Sequence, residues 1–180
     1  MSKGVENHLH AEEYRWFAVY TRFKREKQVE ARLEEKGIQT YLPLQEFTRT
    51  YTRKVRVVKI PLISCYLFVK ITKKEYVPVL EDADVVRFVQ FSRNLISIPE
   101  SEINVLRRVV GEGLEVEAEP LKLTEGDPVE IIGGQLTGLK GVLIDKQNER
   151  NLLIELNHIG YALRLSVPSE YLRPARQNAS

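Results

Sequence analysis

The sequence predicts an α+β protein in two parts. Residues 14–110 read as a mostly antiparallel sheet with packed helices, and residues 121–176 as a small all-β barrel of the SH3-like kind. Three observations lead there. Residues 60–71 (I-P-L-I-S-C-Y-L-F-V-K-I) form a short apolar run bounded by basic residues, the pattern of a strand buried on both faces. Glycines 133, 134, 138 and 141 would each cost about 1 kcal/mol in a helix, which argues against helices near the C-terminus. Leu163, Leu165 and Val167 alternate with Arg164 and Ser166, one face in and one out.

Taken in order, residues 1–13 are polar and are expected to be disordered. His8 and His10 alternate there without the further donors a metal would need. Residues 15–20 (R-W-F-A-V-Y) have strand composition. Residues 24–36 are strong helix formers with Val29 and Leu33 on one narrow face, closed by Gly37 as the C′ residue. A second strand is expected at 38–43. Residues 45–59 then alternate on both sides of Arg53-Lys54, which predicts a hairpin. Arg49, Arg53, Lys54, Arg56 and Lys59 follow Glu46 with no intervening acid and with Tyr51 among them. Such an arm either tracks phosphates or is a solvated charged hairpin.

In the apolar run, Tyr66 and Phe68 sit two apart and share a face, as core or as an apolar slot. Thr72 and Glu75 have capping-box spacing, and Pro78 implies a short, kinked helix to about residue 80. A strand is expected at 85–91. Pro99 suits the first turn of a helix facing inward with Ile103, Leu106 and Val110. Residues 111–120 (G-E-G-L-E-V-E-A-E-P) are acidic and rich in glycine, and read as a linker. Strands are then expected at 128–132, 141–146, 151–156 and 161–167.

Composition narrows the function. The 180 residues are 43% hydrophobic and 29% charged, as in a globular protein with a real core. No apolar run reaches membrane-spanning length, the N-terminus lacks a signal-peptide pattern, and a single cysteine excludes an intramolecular disulfide framework. A cytoplasmic location is expected. Residues 1–112 carry 20 Lys and Arg against 15 Asp and Glu, whereas residues 113–180 carry 7 against 10. The basic front half points toward nucleic acid. No catalytic residue, metal or cofactor is expected, because the only thiol lies in the apolar run and no phosphate loop or metal spacing occurs.

Residues 124–143 (T-E-G-D-P-V-E-I-I-G-G-Q-L-T-G-L-K-G-V-L) resemble a KOW motif. In the front half, W-F-A-V-Y (16–20), Y-L-P (41–43), P-L-I-S-C-Y-L-F-V (61–69) and R-F-V-Q-F (87–91) resemble an NGN domain in order and spacing. NGN followed by KOW is the architecture of the NusG family of transcription elongation factors, and the resemblance spans about residues 14–174. The Y-L-F-V and F-V-x-F strands are most similar to the specialised RfaH and UpxY-type antiterminators. Where the family usually has Pro-Gly or Pro-Asn, this chain has Ser64-Cys65.

The resemblance implies a monomeric regulator rather than an enzyme. Its NGN domain would bind the clamp helices of the largest RNA polymerase subunit through an apolar depression mapping to Ile63, Tyr66 and Phe68, supported by Trp16. Arg22, with Lys24 and Arg25 beside it, would touch the exposed non-template DNA strand. The family's second DNA-reading position is Glu81-Asp82-Ala83-Asp84 here, and carboxylates do not sit against phosphates. The KOW domain would recruit Rho or a small-subunit ribosomal protein through His158, Ile159 and Gly160, with Ile159 as an apolar knob. The back domain of RfaH can refold as a helical hairpin; the glycines here favour the barrel. The alternatives are a housekeeping NusG and a KOW-type ribosomal or RNA-binding protein, the latter opposed by the net negative back part.

Overall fold

The computed structural model describes residues 4–111, 114–122, 126–146 and 149–175. It falls into two compact units divided after Ile103. In the first, the order is β1 (Arg15–Thr21), α1 (Glu26–Glu35), β2 (Gln39–Tyr41), β3 (Leu44–Tyr51), β4 (Lys54–Pro61), β5 (Tyr66–Ile71), α2 (Tyr76–Leu80) and β6 (Val85–Phe88). The helix α3 (Glu100–Gly111) crosses the division. The fold is mixed α+β with antiparallel sheets, as the sequence predicts.

Strands β2, β5, β1 and β6 pair in that spatial order, all antiparallel. Phe17, Val19, Leu67, Val69 and Ile71 point to one face, where Val29 and Leu33 of α1 and Val79 of α2 complete a core. The opposite face holds Trp16, Ala18, Tyr66 and Phe68, also buried. Burial on both faces is why β1 and β5 read as continuous apolar runs instead of alternating. Strands β3 and β4 form a separate two-stranded hairpin.

The ends of the helices follow their sequence signals. Gly37 at φ 76° closes α1; its N–H reaches the Glu34 carbonyl (2.8 Å), and Ile38 N–H reaches the Leu33 carbonyl (3.0 Å). That pair of bonds is the Schellman arrangement. Thr72 and Glu75 form the expected capping box ahead of α2. Pro78 then falls in the first turn of a five-residue helix, where its missing N–H is least costly.

Other expectations are corrected. Residues 60–71 are not one strand: β4 ends at Pro61, and a turn over 62–65 interrupts the run before β5 begins at Tyr66. The turn is possible because Cys65 adopts φ 63°. Residues 4–13 of the segment read as disordered are held in place. His8 N–H donates to the Leu95 carbonyl, Leu95 N–H to the Glu6 carbonyl (both 2.9 Å), and Lys73 N–H to the His10 carbonyl (2.8 Å). Leu9 packs on the core, so a segment of polar composition is ordered by its backbone bonds and one apolar anchor. On α3 the buried residues are Ile103, Leu106 and Val109, with Val110 half-buried.

The second unit is an antiparallel six-stranded sheet. Its strands are β7 (Val116–Pro120), β8 (Asp127–Ile131), β9 (Lys140–Lys146), β10 (Glu149–Leu156), β11 (Tyr161–Ser166) and β12 (Leu172–Pro174). They lie in the order β12-β8-β9-β10-β11-β7. Strand β7 occupies half of the segment read as a linker. Its acids mislead, because Glu117 and Glu119 both pair with Arg164 on the neighbouring strand β11, while Val116 is buried. Residues 112–113, and residues 123–125 where the KOW-like stretch begins, lie outside the described residues. Gly141 is demanded by packing: a Cβ there would stand 2.3 Å from the Leu153 carbonyl oxygen.

Candidate nucleic-acid interface

Between β1 and α1 the chain makes a tight exposed turn. Arg22 N–H donates to the Asp84 carbonyl (2.8 Å), Arg25 N–H returns to the Arg22 carbonyl (3.1 Å), and Lys24 takes φ 60°. Four consecutive side chains, Arg22 to Arg25, therefore face solvent. Phe23 is 66% exposed, and the Lys24 ammonium lies 5.2 Å from its ring centre.

This turn forms one wall of a groove of about 450 Å³ whose other wall is the β3–β4 hairpin. Phe23, Lys24 and Lys27 line it from the helix side, and Arg49, Val58 and Lys59 from the hairpin. Lys27 Nζ ties the walls together by donating to the Lys59 carbonyl at 2.7 Å. The groove thus brings Lys24 and Arg49, predicted separately from sequence, to one place. Arg53 and Lys54 lie further out, at the hairpin tip, beside a second hollow of about 570 Å³. Arg22 and Arg25 flank the groove without lining it. Sequence reasoning missed Lys27; its nearness to the basic Arg22, Lys24 and Arg25 was the available signal.

The floor is fixed by Glu26. Its Oε1 accepts the Cys65 N–H at 2.7 Å, and Thr21 N–H donates to the Cys65 carbonyl at 2.9 Å. Burial, with the Glu26 charge nearby, pushes the Cys65 thiol up, so it is held neutral.

The acidic stretch before β6 is occupied internally. Arg32 Nε donates to Asp82 Oδ2 and its Nη2 to Asp82 Oδ1, both at 2.7 Å, and Nη2 also reaches Asp84 Oδ2 at 2.8 Å. The Arg32 hydrogen bonds hold the Asp82 carboxyl below the usual range against its burial. These carboxylates clasp α1 to the loop before β6.

The four residues mapped to the polymerase surface are interior to the chain. Trp16, Ile63, Tyr66 and Phe68 are each at most 4% exposed. Trp16 Nε1 donates to Glu100 Oε2 (2.7 Å), and Lys70 Nζ lies 5.6 Å from the Trp16 ring centre. Tyr66 Oη donates to Tyr20 Oη (3.1 Å), with the rings edge to face at 4.6 Å, and Phe68 stacks on Tyr41 at 6.2 Å. Their chemistry is that of a packed aromatic layer. In the second unit, His158, Ile159 and Gly160 form the β10–β11 turn, where Gly160 at φ 79° donates its N–H to the Leu156 carbonyl. His158 is exposed, whereas Ile159 is 1% exposed and is no knob in this conformation. No helix among the described residues is long and apolar enough to cross a membrane.

Comparison with known proteins places this geometry. A family model described as transcription termination factor nusG matches residues 14–107. No curated protein matches the chain. Among solved structures, one described as domain interaction in Thermotoga maritima NusG aligns with 91% of this chain and 98% of its own, at 20% identity and TM-score 0.56. An MjSpt4:Spt5 complex aligns with 92% of this chain and 99% of its own at 20% identity, but its TM-score of 0.31 carries no weight. With more than half its length under that one family model, and the same fold in a solved relative, the chain belongs to the NusG family of transcription factors.

Proposed function

We propose that the chain is a transcription elongation factor of the antiterminator type, acting in the cytoplasm on RNA polymerase in a few long operons, surface-polysaccharide operons among them. The family match over residues 14–107, the stretch that builds the cation-lined groove, supports the transcription-factor part of this reading, and the antiterminator part rests on the resemblance of the Y-L-F-V and F-V-x-F strands. The first unit, read as an NGN domain over 14–110, would dock on the clamp helices of the largest polymerase subunit. Trp16, Ile63, Tyr66 and Phe68 would then act as the rigid layer beneath that surface, since they are buried in the chain. Arg22, Lys24, Arg25, Arg49, Arg53 and Lys54 would meet the non-template DNA strand, a contact dominated by phosphate charge. Bound across the cleft, a monomer disfavours the open, paused polymerase by population shift, with no catalytic step.

The second unit, read as a KOW domain over 121–176, would recruit Rho or a small-subunit ribosomal protein through the exposed side of the His158–Gly160 turn. The test is a reconstituted elongation complex. The protein should co-migrate with polymerase and shorten pauses, and neutralising Lys24 and Arg49 should flatten the salt dependence of association. Failure to co-migrate at low salt would refute the reading.

A further inference from the structure

The second unit has two ends of different character. Its register sets Asp127 opposite Leu143 and Leu143 opposite Leu152, toward the start of β10, whereas the His158–Gly160 turn follows the end of that strand. At the Asp127 end lies a hollow of about 440 Å³. Pro128, Val129, Leu143, Leu172 and Pro174 give it apolar walls, and the Asp127 side chain joins the lining. Val129 is buried, Leu143 and Leu172 are half-buried, and the two prolines are exposed.

The charge around it is one-sided. Arg173, also in the lining, is taken by Glu130 at 3.1 Å. Among the described residues, the exposed Asp127 has no ion-pair partner, and neither has Glu170, the exposed neighbour of Ser169 in the lining. Residues 113–180 carry 7 Lys and Arg against 10 Asp and Glu. Such a rim repels a polyanion and draws in a cation. Addition of a further strand is blunted as well. Ala175 N–H turns inward to the Pro128 carbonyl at 2.9 Å, and Pro174, on the alternate register, has no N–H to offer outward. Recognition therefore falls to side chains, an apolar one for the hollow and a basic one for Asp127.

We propose that this hollow is a docking site for an extended basic segment of a protein partner, seating an aliphatic side chain between Pro128 and Pro174 and a neighbouring Lys or Arg on Asp127. It goes beyond the elongation-factor reading, which puts recruitment on the turn at the opposite end of β10, and does not depend on that turn. The apolar contact supplies affinity, and the unpaired carboxylate supplies selection and on-rate.

The test follows the backbone amide resonances of the full-length protein as the peptide Lys-Lys-Leu-Lys-Leu-Lys-Lys is added. Two counterparts carry Glu for every Lys, or Ser for every Leu. The amides of residues 127, 129, 172, 173 and 175 should shift with the first peptide only, and less as salt rises. Asp127→Lys should weaken binding about tenfold and Pro174→Gln about threefold. Both positions are exposed, so the melting temperature should hold. Glu155→Lys, the same charge reversal on an exposed residue of β10 outside the hollow, should leave binding as it was. An equal response to either counterpart, shifts centred on residues 158–160, or parental binding by both groove variants would overturn the site. So would broadening of these amides with protein concentration alone, which means that a second copy fills the hollow. If the peptide fails to bind while the protein still co-migrates with polymerase, the docking site alone is wrong and the elongation-factor reading stands.

Discussion

Glu26 Oε1 accepts the backbone N–H of Cys65 at 2.7 Å, joining the first turn of α1 to the turn that precedes β5. A carboxylate buried to 4% exposure thus satisfies the amide of a residue held in the left-handed region at φ 63°. The bond sets the floor of the groove and the entry angle of an interior strand at once. Glu26→Ala should cost about 1–3 kcal/mol, because it leaves that amide without its partner. Chemical denaturation measures it. A loss confined to nucleic-acid affinity, with stability unchanged, would contradict the structural role.

Cys65 itself bears a conformational cost. A side chain at positive φ costs roughly 1–2 kcal/mol, offset in part by the larger entropy a glycine would lose on folding. Cys65→Gly should therefore stabilise the protein by about 0.5–1 kcal/mol, and Cys65→Val should destabilise it. Thermal melts of the two variants decide the sign.

How much of this was legible in the sequence varies with the kind of signal. Capping by Thr72 and Glu75 and closure of α1 by Gly37 were readable because each depends on residues within one turn. The turn at 62–65 was not, since Ser64-Cys65 lacks the glycine or asparagine that advertises positive φ. The order of residues 4–13 rests on Asn94, Leu95 and Ser97, more than eighty positions away. Strand β7 was hidden by the acids whose partner, Arg164, lies 45 residues from Glu119. For the site, Lys24 and Arg49 were found singly by charge, whereas the groove joining them exists only in three dimensions. Burial of Ile159 and Phe68 likewise needed the packing.

The Arg32–Asp82–Asp84 clasp makes stability pH-dependent. Asp82 titrates below its ordinary value in the folded chain, chiefly through the Arg32 hydrogen bonds. Its contribution is therefore present above the unfolded value of about 3.9 and disappears as pH falls through the depressed one. Asp82→Asn should cost about 2 kcal/mol at neutral pH, a figure moderated by the partial exposure of Arg32, and should remove that part of the acid dependence. Urea denaturation at pH 7 and pH 3 checks both.

The aromatic layer should answer to size rather than polarity. Phe68→Ala should cost about 3–5 kcal/mol, because the side chain is fully buried between strands. Tyr66→Phe, which removes the hydroxyl bonded to Tyr20, should cost about 1 kcal/mol and leave polymerase association intact. Calorimetry and polymerase pull-down read the two quantities separately. Selective loss of pull-down in a fully stable Phe68→Ala would contradict the interior placement.

In the second unit, Gly141→Ala should destabilise by about 1–3 kcal/mol, since the added methyl meets the Leu153 carbonyl at 2.3 Å. The six-stranded sheet should persist in the intact chain. Far-ultraviolet circular dichroism before and after a protease cut at residues 112–113 tests this. A large loss of helix on cutting would reveal a helical form of this unit.

If this NusG-family chain rides on elongating polymerase, genome-wide occupancy of the protein and of polymerase, mapped in the same cells, will show it. The protein should follow polymerase through a few long operons, and deleting it should make polymerase density fall away toward their distal ends. Occupancy independent of polymerase, or distal density unchanged by the deletion, would contradict it.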